Sequence, residues 1–355
     1  MTTSGAGGDK RQSFTRPVIW LLLAGGVALL FLLDLALGSV RIPGSEVLKV
    51  LAFGEASQDS WTRIVLHFRL PKAVAALLAG GALAVSGLLM QTLFRNPLAG
   101  PFVLGISSGA SLGVALVVLT TGASGASLLA TLGVGEDLAV AAAASAGAGL
   151  ALGLVLVTAR RVSILALLIL GMLFGYATGA LVTVLLHFAM AERIQAYVVW
   201  TFGSFGVTWQ ELLVLAPLLL VGLVGSMALA KPLDALLLGE GHARALGVRV
   251  TAVRSIVLVA TAVLAGSVTA FCGPIGFIGV AVPHLARGLW GTSAHRILLP
   301  ASALLGAVVA LAADLVAQLP GSSSVLPLNA VTALLGTPVI AWVVLRNRRF
   351  GASFS

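Results

Sequence analysis

The stretch RSIVLVATAVLAGSVTAFCGPIGFIGVAVPHLARGLW, Arg254 to Trp290, decides how often the chain crosses a membrane. One crossing takes about 20 apolar residues, and this run is well beyond that. It is interrupted at Gly273-Pro274. Proline is favoured in the first turn of a helix, where its missing N–H bonds nothing in any case. The run is therefore read as two spans, 254–271 and 275–290.

The rest of the chain has the same character. Of its 355 residues, 59% are hydrophobic and 9% are charged, with a mean hydropathy of +1.09. Soluble domains carry about 25% charged residues, so a water-soluble core is excluded. The composition predicts an all-α polytopic membrane protein, because a helix satisfies its own backbone in lipid. The 42 glycines suit helices that approach one another closely there. Further spans are read at 17–38, 70–92, 98–120, 138–158, 164–188, 210–230, 298–318 and 325–345, which makes ten transmembrane helices. They form one transmembrane domain, 17–345, between tails 1–16 and 346–355.

Sidedness follows from charge. Lys10, Arg11 and Arg16 precede the first span, and Arg346, Arg348 and Arg349 follow the last. The positive-inside bias places both ends in the cytoplasm, which requires an even number of crossings and so supports the split at Gly273-Pro274. Arg95, Arg160, Arg161, Lys231, Arg244, Arg249, Arg254, Arg287 and Arg296 then fall inside. Arg41, Lys49, Arg63, Arg69, Lys72 and Arg193 fall outside. All of these outer cations except Arg193 lie between the first two spans, against the general bias.

Several chemistries are excluded. The net charge of +9 is scattered between spans, so no nucleic-acid partner is expected. Cys272 is the single cysteine, which rules out an internal disulfide or a CxxC pair. Neither a metal-ligand cluster nor a catalytic constellation appears. An ATP site would need a G-x-x-x-x-G-K-[ST] loop. The only lysines are Lys10, Lys49, Lys72 and Lys231, and none follows a glycine. Coupling to an ion gradient usually places ionisable groups at mid-membrane, whereas Asp34, His187 and Asp314 sit near the outer ends of their spans. The reading is a transport body driven by another subunit, with an ion-coupled secondary carrier as the alternative.

Such a body needs a contact surface. The loop KPLDALLLGEGHARALGVRV, 231–250, offers two short helices joined at Gly239-Glu240-Gly241, with Gly247 suited to end the second. On residues alone, a docking knob, a re-entrant loop and a plain connection are equally open.

Four motifs together resemble the FecCD-type permeases, the membrane subunits of type II ABC importers for iron–siderophore complexes, haem and vitamin B12. They are RLPKAVAALLAGGALAVSGLLMQTLFRNPLAGPFVLGISSGASLG from Arg69, GEGHARALGV from Gly239, CGPIGFIGVAVPHLARGLWGTSAHRILLPASALLGA from Cys272, and LPLNAVTALLGTPVIAWVVL from Leu326. The resemblance implies the type II importer permease fold in a bacterial inner membrane. It implies a homodimer, or a close heterodimer, above two ATP-binding subunits that carry ATP and magnesium. A soluble substrate-binding protein would dock on the outer face. Iron–siderophore complexes lead as cargo, with vitamin B12 or haem as alternatives. No cofactor belongs to this chain.

The resemblance also implies residue roles. Gly239, Glu240, Ala243, Arg244, Leu246 and Gly247 would meet the ATPase, the charges pairing across the contact. Ser163, Ile164 and Leu165 match the turn forming an inner gate, although relatives are small and polar there. Arg69 and Lys72, with Arg63, would pair with acidic residues of the binding protein, and Pro71 would sit in the first helical turn. Asn96, Pro97, Pro101, Gly273, Pro274, Pro283, His284 and Asp314 read as structural. The chain departs from many relatives at Gln318 and Asn329, where they carry arginine and glycine. The loss of that arginine predicts heavier reliance on Arg69 for docking.

Overall fold

In the computed structural model, residues 7–120, 136–159, 161–319 and 324–346 are described, and among them the chain is helical with no strands. The helices are α1 (Gly7–Ala36), α2 (Gly44–Phe53), α3 (Asp59–Leu93), α4 (Ile106–Thr120), α5 (Glu136–Ala159), α6 (Ile164–Phe188) and α7 (Ala191–Thr201). They continue with α8 (Trp209–Met227), α9 (Ala230–Leu237), α10 (Glu240–Ala245), α11 (Val250–Cys272), α12 (Ile278–Trp290), α13 (His295–Ala317) and α14 (Leu328–Arg346). Each expected span overlaps a helix, but the one placed at 98–120 is helical only from Ile106, because a 3₁₀ turn at Pro101–Leu104 and the left-handed Gly105 precede it. Among the described residues, 7 helices are long and apolar enough to cross a membrane by themselves. Segments α4 and α12 are shorter, with 15 and 13 residues. The first span begins earlier than expected, because α1 already runs from Gly7 through the polar tail. The C-terminal tail beyond Arg346 lies outside the described residues.

The break at Gly273-Pro274 is real. Helix α11 ends at Cys272, and Gly273 turns with φ 74° and ψ 178°. A Cβ there would lie 2.5 Å from the Trp200 carbonyl oxygen, so only glycine fits. The intervening segment is pinned from another span, because Asn329 Oδ1 accepts the Gly276 N–H at 3.0 Å. This gives the departure at Asn329 a structural purpose.

Helix α3 is the pillar, with 83% of its apolar window buried against 11% for α1. Its residues from Ala73 to Leu93 are mostly small or aliphatic, and α8, α11, α12 and α13 pack around it. Glycines set the closest approaches. A Cβ on Gly80 would lie 2.3 Å from the Gly306 carbonyl oxygen of α13, and one on Gly87 would lie 1.6 Å from that of Gly279 in α12. In lipid there is little hydrophobic drive between helices, so such backbone-to-backbone packing supplies the association.

One expectation about α3 fails. The sequence places the start of the span at residue 70, with Pro71 in its first turn. The helix instead runs unbroken from Asp59, and Ile64–Arg69 forms a π-helical turn. Leu70 N–H bonds the Val65 carbonyl, the i−5 pattern. Continuing it would require an N–H on Pro71 facing the Leu66 carbonyl. Proline has none, and Trp209 Nε1 donates to that oxygen instead, at 2.8 Å. Pro71 is thus tolerated inside a helix because a side chain from α8 satisfies the orphaned acceptor.

Candidate functional site

The end of the bundle that carries the 231–250 loop is built from short, stapled elements. Leu238 and Gly239, the latter with φ 101°, join α9 to α10, since Glu240 already begins α10. Gly247 closes α10 at φ 82°, with Val248 N–H bonded to the Ala243 carbonyl at 3.0 Å. That six-to-one bond and a left-handed glycine make a Schellman end. Ala243 is fully buried, so the knob keeps its inner face, while Leu246 is 66% exposed. Glu240 and Arg244 pair with each other at 3.0 Å, and in this chain their charges are directed to one another before any partner arrives.

The knob is held to the pillar by residues the sequence reading did not single out. Asp234 of α9 accepts from the His295 backbone N–H at 2.9 Å and from its Nδ1 at 2.7 Å. His295 Nε2 is hydrogen-bonded to the Thr92 hydroxyl at 2.8 Å. One buried imidazole therefore ties α9 to α13 and α3. A carboxylate in the otherwise apolar DALLL helix was the available signal, but its partner lies 61 residues away. His295→Ala leaves buried Thr92 and half-exposed Asp234 with fewer partners, at about 1–3 kcal/mol. A lower melting temperature of the solubilised protein is the expected result.

The structural motifs converge nearby. Arg95 takes a positive φ of 47° just beyond α3. Asn96 Oδ1 accepts the Leu98 N–H at 2.9 Å, and Pro101 opens a single 3₁₀ turn. His284 Nε2 bonds the Pro97 carbonyl at 2.7 Å, which joins the two proline motifs. Pro283 loosens the turn before it, where Gln91 Nε2 donates to the Val280 carbonyl at 3.1 Å. Arg287 Nη1 donates to Gln91 Oε1 at 2.6 Å. In the candidate gate, Ser163 caps α6 by accepting the Ala166 N–H at 3.2 Å, and Leu165 is 68% exposed. The side chain of Ile164 and all of Arg160 lie outside the described residues.

The opposite end corrects the docking reading. Arg69 is buried, with Nη1 donating to the Leu35 carbonyl at 2.8 Å and Nη2 donating to the Val40 carbonyl. It secures the end of α1. The π turn shifts the phase of the helix locally, and in this chain the arginine points to those carbonyls. Lys72 pairs with Asp314 at 3.0 Å, and Gln318 Nε2 donates to Asp314 at 2.7 Å and to Asp34 at 2.6 Å. Of the three expected docking cations, only Arg63 is exposed. Beside it, Glu46 accepts from Lys49 Nζ and the Ser57 N–H, each at 2.7 Å, and these bonds hold its carboxyl down at about 2. The loop that follows α2 is therefore stapled across the physiological range.

Two cavities lie between the ends. One, of about 200 Å³, is lined by hydroxyl groups of Ser107, Ser108, Ser111, Thr178 and Tyr197, with Ser111 and Tyr197 hydrogen-bonded at 2.5 Å. The other, of about 240 Å³, is bordered by Lys72, Asp314, Phe202, Ser204 and Pro327. Among the described residues, no group of histidine, cysteine, aspartate and glutamate side chains could hold a metal ion.

The FecCD transport family model matches residues 26–346. The chain is 39% identical over 342 residues to the vitamin B12 import system permease proteins BtuC of Salmonella typhimurium and Salmonella typhi, covering 96% of this chain and 98% of each relative. Among solved structures, an inward-facing metal-chelate type ABC transporter superposes with a TM-score of 0.80 at 28% identity, covering 93% of this chain and 99% of that one. PsaBC from Streptococcus pneumoniae, at 15% identity and a TM-score of 0.50, shares the fold alone. The stapled knob, the glycine-packed pillar and the match along almost the whole chain lead to one conclusion: this chain belongs to the FecCD transport family and is a polytopic permease subunit of an ABC importer, working with ATP-binding subunits and a binding protein.

Proposed function

We propose that the chain carries a bulky metal chelate inward, with a cobalamin-type corrinoid as the first candidate and iron–siderophore complexes or haem as the alternatives. The observation that carries this is the full-length likeness to permeases named for vitamin B12 import. The likeness to a metal-chelate type transporter supports the wider class. Passage requires binding weak enough for release.

In this reading two copies of the chain enclose the path and both termini are cytoplasmic. Two ATP-binding subunits carry ATP and magnesium and seat the α9–α10 knob through Gly239, Glu240, Ala243, Arg244, Leu246 and Gly247. Ser163, Ile164 and Leu165 border the path at that end. The binding protein meets the opposite end, where Arg63 is the exposed cation of the set. ATP drives alternating access because the two states of the permease differ in their affinity for the ATPase and the binding protein.

Vesicles containing this chain with its ATP-binding subunits and binding protein should accumulate labelled cobalamin only when ATP is present. Ferric siderophore and haem serve as parallel cargoes. Accumulation of one of these in place of cobalamin reassigns the cargo within the class. Uptake by the chain alone under an ion gradient would instead establish a secondary carrier and refute the reading.

A further inference from the structure

The mechanism leaves one half-buried cation unused. Arg254 lies in the first turns of α11, just beyond the knob, and its guanidinium acts on two separate elements. Nη2 donates to the Val162 carbonyl at 3.3 Å, in the turn between α5 and α6 that ends at Ser163. Glu240, the first residue of α10, lines the same small cavity and acts on the guanidinium by charge without a direct bond, its own ion pair being with Arg244. Glu240 and Arg254 border the same cavity of about 20 Å³, closed by Thr92, Leu93, Leu236 and Val250, with Arg95 as a second cation on it. Arg254 Nε is buried without a hydrogen-bond partner among the described residues. An unmet buried donor is costly, so the position is not explained by local satisfaction. A shorter or apolar side chain would avoid that cost and would lose the Val162 bond and the positive charge beside Glu240. Helix α11 also packs on α5 and α10, so the backbone around the arginine is shared by both elements.

We infer that Arg254 is a positioning residue that fastens the ATPase-facing knob to the turn bordering the path, so that α10 and residues 161–163 move as one body. The inference rests on the import reading for its purpose but not for its geometry. A guanidinium suits the task because it is planar and offers several donors at fixed angles. It can hold a carbonyl on one edge while facing a carboxylate with the other. A lysine supplies one point charge and can serve only one of the two at a time.

The test uses the full chain assembled with its ATP-binding subunits. Arg161 and His242 are exposed on the two elements, and Arg161→Cys with His242→Cys accepts a pair of spin labels. Cys272 is buried and stays unlabelled. The inter-label distance should be a single narrow distribution with and without nucleotide, and Arg254→Ala should broaden or split it. An unchanged distribution in Arg254→Ala overturns the inference. In vesicles that transport with the native arginine, Arg254→Ala should retain binding-protein-stimulated ATP hydrolysis while cargo moved per ATP falls about tenfold, with Arg254→Lys in between. Equal loss of hydrolysis and uptake would mean general damage and would also overturn it. If the native complex transports nothing, the import reading fails while the distance measurement still decides the linkage.

Discussion

Gly87→Ala should leave no folded permease. A methyl group at this position would sit 1.6 Å from the Gly279 carbonyl oxygen, which belongs to the backbone of α12 and cannot rotate away. Overpacking a core ordinarily costs about 1–3 kcal/mol when side chains can shift. Here the pillar and α12 must separate along their whole contact, which also disturbs the Gln91–Val280 and His284–Pro97 bonds made by the same pair of segments. The expected outcome is expression without a monodisperse peak in detergent. Gly149→Ala is the control, because a Cβ there meets nothing within 4 Å. It should be neutral or gain up to about 1 kcal/mol from the better helix former. Normal recovery of Gly87→Ala would disprove the close approach of α3 and α12.

The second large effect is expected for Arg69→Glu. The native guanidinium donates to the carbonyls of Leu35 and Val40 and lies in the field of Asp34. A carboxylate would face those same two acceptors and a second carboxylate, in a site closed to water. Removing one partner from a buried charged contact costs about 3–5 kcal/mol, and reversing its sign adds repulsion. Loss of stability should be the same at low and high salt, because a buried interaction is little screened. Arg63→Glu, on an exposed residue of the same helix, should leave the melting temperature unchanged. If Arg69→Glu melted normally and weakened only the response to the binding protein, the arginine would face outward after all.

Much of the molecule was legible in the sequence. Hydropathy located the helices because an apolar helix of crossing length has few soluble alternatives, and Gly273-Pro274 marked a true break because no other residue fits the Gly273 backbone. The glycines at 239 and 247 marked the knob, since a left-handed φ is written in residue type. Contacts between distant segments were not legible. Nothing near His295 in the sequence points to Asp234 or Thr92, and nothing near Arg254 points to Val162. Pro71 looked like a helix start because the acceptor it orphans is met by Trp209, far along the chain. Gln318 looked like a missing docking cation, and in the fold it bridges Asp34 and Asp314.

The sequence by itself determined an all-helical membrane body, because that depends on composition and periodicity, and it placed two short glycine-ended helices at 231–250 through local backbone preference, while the family was carried by four motifs that resemble its members. Only the tertiary structure decided which charges face inward. That choice depends on helix phase and on partners brought together by packing, so a single π turn in α3 was enough to turn Arg69 from an outer docking residue into a buried clasp on α1.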